Sequence, residues 1–132
     1  MERIAVPDTA WNDAVEFVIA AYEKAVGGDS NSYKTTIRFP IDELPERYRR
    51  DASIRKGHPV DIYAGQYGED YKNPMEHYRM GKGTSGRIIV NLDHYLGNMN
   101  AQEQIRQDLK HELQHVTQDT TLRKLHPSQY VE

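Results

Sequence analysis

The 132-residue chain has no cysteine. That excludes a disulfide framework, a thiolate zinc site, an iron–sulfur cluster and a cysteine nucleophile. Any metal must therefore be held by His, Asp or Glu. Long apolar runs are missing too, since no stretch approaches the roughly 20 residues a spanning helix needs. The opening Met1-Glu2-Arg3-Ile4-Ala5-Val6-Pro7-Asp8 has no continuous apolar segment of the kind a signal peptide carries. The expectation is a cytoplasmic chain with no membrane partner. Positive charge is not in excess either. Seventeen basic against twenty acidic residues give a net charge of -3, which argues against non-specific nucleic-acid binding as the main task. The length suits one compact domain over residues 1–132, enough for a single core.

What is present reads as a mixed α+β chain without repeats or low-complexity tracts. Ala10, Trp11, Ala14, Val15, Val18, Ala21, Tyr22, Ala25 and Val26 recur at helical spacing. Asp8 or Thr9 can cap this first helix, and Gly27-Gly28 can end it. Tyr33, Thr35, Ile37 and Phe39 alternate on one face of a strand closed by Pro40. A short helical turn fits Ile41 to Arg50, and Val60 to Tyr63 fits a second, short strand. Residues 64–86, with five glycines, Pro74 and three tyrosines, form the least regular stretch and read as a solvated or substrate-facing loop. Gly86 to Leu92 is the strongest strand, and its β-branched run suggests burial on both faces. Asn98 or Asn100 opens a second helix, with Asn100 and Glu103 spaced as a capping box. Ile105, Leu109, Leu113 and Val116 form its apolar stripe, and it runs to about Gln118 or Thr120. The tail from Thr121 to Glu132 reads as a turn or short helix over the core.

Inside this second helix sits His111-Glu112-Leu113-Gln114-His115. Residues four apart lie one turn apart on one face. Two imidazoles so placed can aim nitrogens at one point, at about 2.0–2.1 Å from a zinc ion. Glu112 lies beside them, able to take a proton from a zinc-activated water and later protonate a leaving amine. At 100° per residue, the two histidines fall more than about 100° from the centre of the apolar stripe. The helix can thus bury that stripe and present both rings to a cleft. By chance the pattern arises about 0.02 times in such a composition.

A catalytic zinc needs a third protein ligand and one open position. His126 leads, eleven residues past His115, with Glu132, Asp119 and His94 as alternatives. Tyr130, four residues after His126, either donates its hydroxyl to a developing oxyanion or simply packs. Asp108 and Asp119 lie near the histidine face, as imidazole-orienting carboxylates or as surface charges. His58 and His77 read as solvent-facing loop histidines.

On these residues the chain resembles the zincin metallopeptidases. The resemblance rests on Arg87-Ile88-Ile89-Val90-Asn91 as a strand before the helix and on His111-Glu112-Leu113-Gln114-His115. It implies a helix packed under a small twisted sheet whose edge strand binds the substrate backbone. It also implies zinc held by His111 and His115, with Glu112 as general base. The chain is similar, more specifically, to small SprT-like and related minimal zincins, in which a third histidine follows inside a His-Gly-x-x-aromatic stretch. His126-Pro127-Ser128-Gln129-Tyr130 has that shape, with Pro127 in the place of the glycine and a shorter spacing from His115. The metzincin extension is absent, because Gln118 and Thr121 stand where its glycine and third histidine would fall.

The combined expectation is a zincin-like α+β domain, a small mixed sheet packed by an N-terminal helix and the histidine-bearing helix. Its expected activity is zinc-dependent hydrolysis of a peptide or protein substrate. The alternatives are a non-catalytic metal-binding or assembly module, a zinc amidase acting on a non-protein amide, and a protease of DNA-bound proteins.

Overall fold

A computed structural model describes residues 6, 8–38, 59–68, 73–78 and 86–117. The expected turn at Ile41 to Arg50, Phe39, His58 and the tail beyond Thr117 lie outside them. Helix α1 (Asp8–Val26) is followed by β1 (Tyr33–Arg38), β2 (Pro59–Gly65), β3 (Met75–Tyr78) and β4 (Arg87–Asn91). A 3-10 turn (Leu92–His94) then leads to helix α2 (Ala101–Thr117). The fold class is α+β, as expected. No helix among the described residues is long and apolar enough to cross a membrane.

The four strands form one mixed sheet in the order β1-β2-β4-β3. β1 and β2 are antiparallel, β2 and β4 parallel, and β3 and β4 antiparallel. Registers Ile37↔Val60, Ile62↔Ile88, Ala64↔Val90 and Met75↔Val90 put the buried side chains on one face. Both helices cover that face: α1 packs on β1 and β2, α2 on β3, and the helices touch each other. The β1 alternation predicted from Tyr33, Thr35 and Ile37 holds. In β4 only one face is sealed, since Ile88 and Val90 are buried whereas Ile89 is half-buried. That is what helices on one side alone produce. The stretch 64–86, expected as one loop, includes among its described residues the end of β2 and the whole of β3.

α1 turns alanines inward. Ala10, Ala14, Ala21 and Ala25 are buried with Val18, while Trp11, Val15 and Tyr22 pack at the margin. Small residues at this spacing let a helix backbone approach its neighbours closely. Val26, expected in the stripe, is exposed because the helix ends there. Gly28 adopts a φ of 99°, its N–H donates to Ala25 O and the Asp29 N–H to Lys24 O. This is the Schellman arrangement that only glycine enters without steric penalty.

In α2 the predicted stripe is the observed one: Ile105, Leu109, Leu113 and Val116 are all buried. Each such side chain contributes about 1.5–3 kcal/mol in gross burial. The Asn100 carbonyl accepts the Gln104 N–H, so the helix begins where the capping pattern placed it.

Asn91 is the buried polar residue of the described core. Its Oδ1 accepts the N–H groups of Tyr67 and Asp93, and its Nδ2 donates to Gly68 O. Asp93 Oδ2 accepts the Gly68 N–H. The segment after β2 is thereby pinned to the end of β4. Asn91→Ala strands two N–H groups and a carbonyl, so a loss of about 2–4 kcal/mol in urea-unfolding free energy is expected.

Candidate functional site

α2 packs on the edge strand β3, and Glu112 in its C-terminal half meets His77 of that strand. With Leu113 and Val116 held in the core, helical geometry leaves His111 exposed and Glu112 and His115 half-buried. The two imidazoles converge: His115 Nε2 lies 3.1 Å from His111 Nε2, and the rings stand edge to face at 89° with centroids 4.6 Å apart. Two nitrogens bound tetrahedrally to one zinc ion at about 2.05 Å sit roughly 3.3 Å apart. The observed distance is close to that spacing, and it is equally the distance of a hydrogen bond between the two rings.

Glu112 belongs to both the helix and the sheet. Its carboxylate accepts the backbone N–H of His77 in β3. The ladder explains why that N–H is available. Pro74 O accepts the Asn91 N–H, so bonded pairs alternate as 74/91, 76/89 and 78/87 in the register of Met75↔Val90. The N–H and C=O of residue 77 therefore point to the outer edge. Burial pushes the Glu112 carboxyl up from its ordinary range, with Glu76 and Asp108 adding to the rise; the His111 ring and the His77 N–H oppose it. A half-buried carboxylate of raised basicity is the form a general base takes.

His77 corrects the sequence reading. It is not a loop histidine but a half-buried residue of β3. Its ring lies close over the backbone of Gly86, where an added Cβ would meet His77 Nε2 at 2.6 Å and Tyr78 O at 3.2 Å. The signal was present as the alternation Met75-Glu76-His77-Tyr78 after Pro74, but four residues among glycines are too few to separate from a loop.

Tyr95 was also missed. Its ring is 1% exposed, and its hydroxyl donates to Asp108 Oδ2 at 2.6 Å. Gln104 Nε2 donates to Asp108 Oδ1 at 3.0 Å. Asp108 is thus neither a plain surface charge nor bonded by these oxygens to an imidazole. No spacing rule links a turn tyrosine to a carboxylate thirteen residues on.

His94 closes the 3-10 turn and is exposed. Among the described residues no three His, Asp or Glu side chains surround one point. His126, Tyr130, Asp119 and Glu132 lie outside the described residues. Comparison of the chain with protein-family models, curated proteins and solved structures returns no match in any of the three.

Proposed function

We propose that the chain is a zincin-like metallopeptidase that hydrolyses peptide bonds in an extended peptide or flexible protein segment. The observation that carries this reading is the 3.1 Å approach of the His111 and His115 Nε2 atoms beside a half-buried carboxylate. The donor set suits zinc: two imidazoles one turn apart, with a third ligand drawn from His126. When bound, zinc polarises the scissile carbonyl and lowers the pKa of water toward about 7.

The remaining roles fall to the chain. His111 and His115 orient the ion on the open face of α2. Glu112 removes the proton from the attacking water and returns it to the departing amine nitrogen as the C–N bond breaks. β3 is the edge strand of the sheet, the kind of element along which a peptide in extended form pairs. Tyr130 is proposed to donate to the oxyanion.

The test is metal analysis together with cleavage of an unfolded protein by the purified chain. One zinc per chain and activity abolished by a chelator and restored by zinc are expected. A fully metallated chain that cleaves nothing in a peptide library overturns the hydrolase reading in favour of a binding module. His126→Ala is expected to weaken zinc binding by more than the roughly 10–100-fold typical of a residue that only supports a ligand, measured by chelator competition. Unchanged zinc affinity in that variant removes His126 from the ligand set.

A further inference from the structure

We propose that Tyr95 and Asp108 form a positioning pair behind the histidine–glutamate site, in which the buried phenol holds the Asp108 carboxylate in place and the carboxylate strengthens the hold of His111 and His115 on a divalent cation. The inference rests on the reading above in one respect, that these histidines take up such an ion.

A phenylalanine at position 95 would fill the core equally well, so the hydroxyl calls for a separate reason. A buried phenol needs a partner, and here that partner is an ionisable carboxylate rather than a backbone carbonyl, at the short distance of a charge-assisted bond. Gln104 takes the other oxygen. Both donors are neutral, and among the described residues no Lys or Arg forms an ion pair with Asp108. The carboxylate is therefore held by two bonds from neutral donors. Burial and the adjacent carboxylate raise the Tyr95 hydroxyl above its ordinary range, so it remains a donor at any working pH. His111 and Glu112 follow Asp108 by three and four residues, the spacing at which side chains on a helix are neighbours. A carboxylate one turn before His111 favours a cation held by the histidines, and that effect is reduced by salt.

Zinc affinity of the full chain, measured by chelator competition, tests the pair. Asp108→Asn keeps the size and an acceptor for Tyr95 but removes the charge. It is expected to bind zinc about tenfold more weakly, with the gap closing between about 0.05 and 1 M salt. Tyr95→Phe keeps the charge but frees it, and a several-fold loss is expected. Adding Tyr95→Phe to Asp108→Asn should cause no further loss, because without the charge nothing is left to position. Circular dichroism establishes that each variant is folded. If Asp108→Asn does not fold, the Tyr95→Phe loss and its salt dependence decide alone. A folded Asp108→Asn chain within twofold of wild type at low salt overturns the pair while leaving the histidine site intact, as does an additive loss that salt does not change. A wild-type chain that binds no zinc overturns both proposals.

Discussion

Glu112→Gln is expected to keep its zinc and lose about 10²–10⁴-fold in peptide hydrolysis, the contribution of a positioned general acid–base. The amide has the shape of the carboxylate and retains an oxygen for the His77 N–H, so a loss of rate reports on proton transfer rather than on collapse of the helix. The same substitution has a second, opposite consequence for stability. Burial chiefly raises the Glu112 carboxyl above its ordinary value of 4.5. The folded chain thus holds this proton to a higher pH than the unfolded one. The group contributes stability at low pH, and that contribution is lost as pH rises from the unfolded value through the raised folded value. Zinc-free Glu112→Gln, which has no charge to bury, should melt above the wild type at neutral pH and level with it below about pH 4. A variant that melts lower at neutral pH shows that the carboxylate is not penalised by its surroundings. An inactive, more stable variant is the signature of a residue placed for chemistry at some expense to the fold.

The elements that were legible in the sequence are those with a long period. Nineteen residues of α1 and seventeen of α2 repeat their apolar positions often enough for the 3.6-residue period to stand out. The rotation between Leu113 and the two histidines followed from the same period. β4 was legible because Ile88-Ile89-Val90 is β-branched throughout. Only its second face was misjudged, because a run of apolar residues does not say how many layers will cover it. β3 failed for want of length, and with it failed His77, whose part in the site comes from a backbone N–H that any residue but proline supplies. The contact between Tyr95 and Asp108 depends on how the turn after β4 returns the chain over the sheet, which is a tertiary fact. The site thus divides along the same line. Residues fixed by helical geometry were visible, and those brought by another element were not.

Leu113→Ala carries the largest expected effect on the fold, and it bears on the site through the helix they share. Leu113 is wholly buried and lies between Glu112 and Gln114 on the face of α2 opposite the histidines. Removing it leaves a cavity worth about 2–5 kcal/mol. At ~3–5 °C per kcal/mol for a chain of this length, the zinc-free melting temperature should fall by roughly 6–25 °C. The two imidazoles meet at 3.1 Å only when this turn of helix is formed. An ion bound there therefore stabilises the folded state and not the unfolded chain. Zinc at about 100 times its dissociation constant returns about 2.7 kcal/mol, so calorimetry of Leu113→Ala should show most of a small loss recovered on adding zinc. His115→Ala combined with Leu113→Ala should show the same fall without the recovery. Recovery that persists without His115 places the ion elsewhere. Its disappearance ties the packing of the apolar stripe to the hold on the metal.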